Sequence, residues 1–264
     1  MGHTEPHPTN APADPTAVPG VIRLGSRAVN WYLIESPDGI TLVDAGLPAQ
    51  LGQLTDALAR SGRTLGDVHS VLITHAHPDH TGVLGDLAKA GVKIWAHEQE
   101  KAVLADGPRS AMRTAAPERS FLPYLIRRPA AVGTFVAMAR QGAFGARTVT
   151  DVQAFAEGQR LDGVPGRPQV LALPGHTPGS SGFFFPDLKV FFSGDALVTR
   201  DDLTGHVGPG LVCRGFTHDS SAATNSLDRI AALPQDTVLL PGHGEAFTGG
   251  PAVAADMARE FGVH

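Results

Sequence analysis

A single cysteine, Cys213, in 264 residues rules out an internal disulfide. It also rules out the thiolate-rich centres, zinc ribbons and iron–sulfur clusters, which need several cysteines. No apolar run approaches the roughly 18 residues that span a bilayer, so stable membrane insertion is not expected. An excess of positive charge is missing too. With 21 Lys and Arg against 26 Asp and Glu, the formal charge is −5 and no global pull towards nucleic acid exists. The first twenty residues, MGHTEPHPTNAPADPTAVPG, lack a basic start and an apolar core, so they do not read as a secretory signal. They read as a disordered leader, and the chain reads as cytoplasmic.

What is present is an ordinary globular composition, 42% hydrophobic and 18% charged, with 31 Gly and 21 Pro to turn the chain. Residues 21–264 form one expected domain. Short β-like runs appear at VIRLG (21–25), NWYLIES (30–36), ITLVDAG (40–46), VLIT (71–74) and KIWAH (93–97). They resume at QVLALPG (169–175), GFFFPD (182–187), KVFFSGD (189–195) and TVLLPGHG (237–244). Helical spacing marks 48–62, 82–91, 220–233 and 251–262. Residues 107–148 break this alternation. They hold seven arginines, no lysine and one acid, Glu118, with apolar residues interleaved, which predicts a helical insertion.

Four of the apolar runs end in polar clusters. VLIT leads to His75, His77, Asp79 and His80; the run at 169–175 leads to His176; KVFFSGD ends in Asp195; TVLLPGHG contains His243. Loops at one sheet edge would bring them together. So many imidazoles in one place would repel when protonated and cost desolvation when neutral, unless a metal holds them. Five histidines and two carboxylates suffice for two divalent ions, and such donors suit zinc first, with iron or manganese also accepted. Pro78 stiffens the loop, and His75 and His77 alternate so that both rings point one way in an extended segment.

In THAHPDH (74–80), PGHTPGS (174–180), FSGDAL (192–197) and PGHGE (241–245), in that order, the sequence resembles the metallo-β-lactamase superfamily, nearest to its glyoxalase II and lactonase-like members. The resemblance implies an α/β fold, a four-layer αβ/βα sandwich, here with a helical insertion. It implies that His75, His77 and His176 hold one ion, that Asp79, His80 and His243 hold a second, and that Asp195 bridges. LVDAG (42–46) matches a further segment, in which Asp44 would orient the site; a turn-forming aspartate after a strand is the other reading. Two ions about 3.5–4 Å apart sharing one water would lower its pKa towards about 7, and the hydroxide would attack the substrate. Asp79 would orient that nucleophile or relay its proton.

The expected activity is therefore metal-dependent hydrolysis of an ester, lactone or thioester in a small substrate. β-Lactam or phosphodiester hydrolysis, and a metal-containing binding or regulatory protein with little turnover, are the alternatives. The insertion is expected as a lid, with Arg127 and Arg128 attracting an anionic substrate group and His218 approaching the pocket. The same segment also reads as an amphipathic pair with its arginines in solvent. Cys213 reads as a buried, inert thiol, and the protein as a monomer or homodimer.

Overall fold

The computed structural model describes residues 14–15 and 18–264. A seven-stranded sheet runs in sequence order through β1 (Asp14–Pro15), β2 (Val21–Gly25), β3 (Asn30–Ser36), β4 (Gly39–Val43), β5 (Val68–Leu72), β6 (Lys93–His97) and β7 (Gln153–Phe155). Its first four strands are antiparallel; from β4 onward neighbours are parallel. A second sheet has the order β13 (Val238–Pro241), β10 (Val190–Gly194), β9 (Ser181–Phe185), β8 (Gln169–Ala172). β11 (Val198–Asp201) and β12 (His206–Gly210) form a separate hairpin.

Side-chain alternation assigns each strand two faces. Along β3, Trp31 and Leu33 face one core while Tyr32 and Ile34 face another. The first core packs under α1 (Leu51–Arg60), α2 (Leu84–Lys89) and α3 (Lys101–Asp106). The second lies between the sheets, where Tyr32, Val43 and Leu72 meet Phe183, Phe185, Phe192 and Leu240. Phe184 and Phe191 point the other way, onto α7 (Ser220–Ala231) and α8 (Pro251–Phe261). The layers are thus helix, sheet, sheet, helix, the expected four-layer sandwich. Each buried Phe contributes about 1.5–3 kcal/mol. An exposed ion pair such as Lys189–Asp236 is screened by water and adds little beside this. The aromatic layers therefore dominate. Tyr32 also reaches across the sandwich, donating its hydroxyl to Pro241 O at 2.7 Å.

Residues 107–148 are helical in short pieces: α4 (Ala111–Thr114), α5 (Leu122–Arg127) and α6 (Ala130–Arg140). They have a small core of their own, in which Tyr124, Ala131 and Phe135 meet Leu203, Cys213 and Phe216. Thr134 Oγ1 donates to Asp202 (2.8 Å) and Arg128 to Thr204 O (2.9 Å), which ties the segment to the β11–β12 hairpin. All seven of its arginines are exposed.

Two expectations need correction. Within the leader assigned to residues 1–20, Asp14–Pro15 pairs with β2 and Val18 is buried in the inter-sheet core. Residues 1–13, 16 and 17 lie outside the described residues. The strand expected at 71–74 begins at Val68, so His69 lies inside it. Among the described residues, no helix is long and apolar enough to cross a membrane.

Candidate metal centre

Parallel pairing explains why the polar clusters meet, because parallel strands end at the same sheet edge. Gly194 of β10 is level with Pro241 of β13, so Asp195 and His243 emerge side by side. Val43 of β4 is level with Leu72 of β5, which sets Asp44 beside the loop carrying His75, His77, Asp79 and His80. The loop after β8 brings in His176 from the second sheet. Each sheet therefore supplies part of one cluster. Gly242 is needed in it: a Cβ there would stand 2.2 Å from Asp195 Oδ1 and 2.8 Å from His80 Cε1.

All seven side chains named from the sequence converge. His176 Nε2 is 3.2 Å from His75 Nε2 and 2.8 Å from His77 Nδ1. His243 Nε2 is 3.0 Å from Asp195 Oδ2 and 3.6 Å from Asp79 Oδ2. His80 Nε2 is 3.5 Å from Asp195 Oδ1. Three triads have ligand atoms within 4.8 Å of one another: His75–His77–His176, His75–His80–Asp195 and Asp79–His80–His243. His80 Nε2 and Asp195 Oδ1 are buried and have no hydrogen-bond partner, as ligand atoms facing a cation would be.

The outer nitrogens of three of these rings, His75, His80 and His243, are already committed. His80 Nδ1 donates to Asp44 Oδ2 (2.8 Å), and His243 Nδ1 to Ala28 O. The Thr74 hydroxyl donates to Asp44 and so accepts from His75 Nδ1 (3.0 Å). In these three rings the network puts a proton on Nδ1 and turns Nε2 inward, as the atom that would face a cation. Asp44 holds a left-handed φ of +61°, which aspartate tolerates better than most side chains, and its carboxylate also takes the Thr74 N–H (2.8 Å).

Glu100 was not singled out in the sequence. It is only 3% exposed. Its Oε2 accepts Ala76 N–H (2.8 Å); its Oε1 accepts the Thr177 hydroxyl (2.6 Å) and Gly179 N–H (3.0 Å). One carboxylate thus clamps the His75–His80 loop to the His176 loop. Its position after KIWAH, outside every His-bearing motif, left no local signal.

Charge is strongly partitioned. Burial and the neighbouring His80 hold His75 well below its ordinary pKa; burial and His77 do the same to His176. Burial opposes the charged form of His243, but Asp195 overrides it and raises the ring to about 9. Burial would likewise raise Asp195, yet His243 and His80 hold it well below the carboxylate range. The cluster is a set of bases sharing too few protons, which is what divalent cations displace.

Above the cluster lies a cavity of about 710 Å³. His77, Asp79, His176, Asp195 and His243 form its floor; Met112, Phe121, Leu125, Val132, Phe135 and Phe144 form much of its wall. The insertion therefore contributes apolar surface here. Arg127 and Arg128 do not line the cavity: both are exposed, and Arg128 is spent on Thr204. His218 is also exposed and bonds Ala116 O. The arginines that do line it are Arg27, Arg109 and Arg200. Short helices on a variable loop give no periodicity from which to tell inward from outward residues, so the arginines lining the cavity differ from those expected to line it.

The family model of the Metallo-beta-lactamase superfamily matches residues 24–243, and the chain belongs to that superfamily of metal-dependent hydrolases. Among proteins it resembles, the probable metallo-hydrolase YflN of Bacillus subtilis (strain 168) is 27% identical over 247 residues, covering 88% of this chain and 87% of that protein. The hydroxyacylglutathione hydrolase GloC of Haemophilus influenzae is 30% identical over 184 residues, covering 67% of this chain and 69% of its own. TTHA1623, solved in a di-iron-bound form, superposes with a TM-score of 0.63 at 27% identity, covering 90% of this chain and 98% of that one.

Proposed function

We propose that the protein is a dinuclear hydrolase of ester, lactone or thioester bonds in a small substrate with an apolar acyl portion. One observation supports this reading: a seven-residue His/Asp cluster, five of whose members form the floor, underlies a chamber walled by apolar side chains. His75, His77 and His176 would hold one ion, Asp79, His80 and His243 the other, with Asp195 between them. Two divalent ions, zinc by preference or iron or manganese, would supply an acidified water and a Lewis-acidic seat for the acyl oxygen.

The chain's own residues do the rest. Met112, Phe121 and Phe135 exclude bulk water and cover the acyl group. In the net reaction the water oxygen bonds to the acyl carbon, the bond to the leaving oxygen or sulfur breaks, and a water proton ends on the leaving atom. Asp79, on the cavity floor, would orient the water and carry that proton.

The test is a hydrolysis panel on zinc-, iron- and manganese-loaded protein: an acyl thioester, a lactone, a neutral ester, a β-lactam and a phosphodiester, beside a His75→Ala/Asp195→Ala control. Turnover of the acyl substrates that vanishes in the control is expected. Turnover confined to the β-lactam or the phosphodiester would overturn the acyl assignment, and a stoichiometry of one bound ion would overturn the dinuclear one.

A further inference from the structure

A second chamber, of about 640 Å³, lies directly behind the turn that carries His243. Arg23, the Ser26–Arg27 loop, Thr199–Arg200 of β11 and Gly244–Glu245 line it. Arg27 and Arg200 line the apolar chamber as well, so they form the wall the two spaces share. Both are fixed to the metal-site backbone. Ala28, next to Arg27, accepts the His243 ring N–H, and Thr199, next to Arg200, donates its N–H to His243 O (3.0 Å).

The charge of this wall is not fully compensated. Arg23 is paired with Glu245 (2.7 Å). Arg200 is held by Asp202 through Nε (2.6 Å), which leaves its terminal nitrogens free to donate to a ligand. Arg27 is exposed and has no hydrogen bond or ion pair among the described residues. Guanidinium forks match carboxylate and phosphate oxygens in pairs.

We propose that the second chamber seats the anionic part of the substrate's leaving group, a phosphate or a carboxylate, with Arg27 and Arg200 as its donors. The inference rests on the acyl-hydrolase reading. The acyl group then lies under Phe121 and Phe135, the leaving group lies behind His243, and the scissile bond is drawn over the cluster between them. Opposite chemistry at the two ends fixes the direction in which the substrate enters.

The experiment compares kcat/KM for thioesters that share one hexanoyl chain but differ in leaving group: coenzyme A (phosphates), glutathione (carboxylates) and N-acetylcysteamine (neutral). Arg27→Ala and Arg200→Gln are measured beside Arg113→Ala, an exposed arginine of the insertion that lines neither chamber, with melting temperatures to confirm folding. The preferred anionic thioester should lose about tenfold relative to the neutral one in each wall variant, as expected for one charged hydrogen bond, and nothing in Arg113→Ala. Added salt should shrink the preference. An anionic-to-neutral ratio that stays constant across all variants while hydrolysis continues overturns the proposal and leaves the hydrolase reading intact. If no thioester is cleaved, the hydrolase reading loses support and binding decides separately. Calorimetric titration with desulfo-coenzyme A and with S-methylglutathione should then show one of them bound in the wild type and released by Arg27→Ala. Binding of neither overturns the second chamber.

Discussion

Replacing Glu100 by Gln changes almost no volume and exchanges one acceptor oxygen for a donor. All three partners of Glu100 are donors: Ala76 N–H, the Thr177 hydroxyl and Gly179 N–H. A glutamine can face its amide oxygen to the Thr177 side or to the Ala76 side. On the other side its N–H₂ then opposes a backbone N–H, that of Ala76 at 2.8 Å or that of Gly179 at 3.0 Å. A lost hydrogen bond to a charged acceptor costs about 1.5–3 kcal/mol, and the stranded buried N–H about 1–3 more. Relief from burying an anion offsets part of this. A net loss of about 3 kcal/mol follows, or a melting temperature lower by roughly 6–12 °C in a chain of this size. The His176 loop would separate from the His75–His80 loop, so metal affinity should also fall, by about 10–100-fold as for other partners of metal-holding groups. Glu98→Gln is the control: Glu98 is exposed and makes only a surface pair with Lys101 (3.3 Å). Scanning fluorimetry and calorimetric titration with zinc read the two quantities. A Glu100→Gln protein that melts and binds zinc like the Glu98→Gln control would refute the clamp.

Asp44→Asn should turn an amide N–H₂ towards His80 Nδ1 or towards Thr74, disturb the His80 tautomer and weaken metal binding by about 10–100-fold, measured as zinc retained through dialysis. Chelation should abolish hydrolysis but leave the three cores folded. Returning ions at about 1,000 times Kd should add about 4 kcal/mol, a rise of roughly 8–16 °C in melting temperature; unchanged melting would mean that the cluster does not bind the ion. Cys213 is fully buried, and burial raises its thiol to about 12. The reactive thiolate forms only as pH rises through that value, so at pH 8 a disulfide reagent should label the protein in denaturant and not in buffer.

Much of this was legible in sequence. VIRLG, NWYLIES and KIWAH match β2, β3 and β6 to the residue, because each is a β-rich run bounded by turn chemistry. α8 opens on Pro251, where the first-turn preference for proline placed it. The seven ligand candidates were visible because each follows an apolar strand. The β11–β12 hairpin was not visible: VTRD and HVGPG are polar and glycine-rich, and they pair because of what surrounds them rather than any period of their own. α3 and the three-residue β7 fell between stronger signals. The pocket wall escaped for a related reason. In residues 107–148 apolar and basic residues intermingle, and only packing against Leu203, Cys213 and Phe216 decides which of them turn inward.

The span of Tyr32 across the sandwich gives the aromatic layer a second duty. Tyr32 sits on the first sheet, packs its ring at a tilt against Phe192 of the second (centroids 5.0 Å apart), and holds the carbonyl just ahead of the His243 turn. His75 and His80 belong to one sheet and Asp195 and His243 to the other, so the thickness of this layer acts as the gauge of the centre, and bound ions would rivet the two halves at that gauge. A core residue such as Phe192, which touches neither substrate nor ligand, becomes a dial for reactivity. Trimming it would alter the gap across the cluster while every motif in the sequence stayed intact.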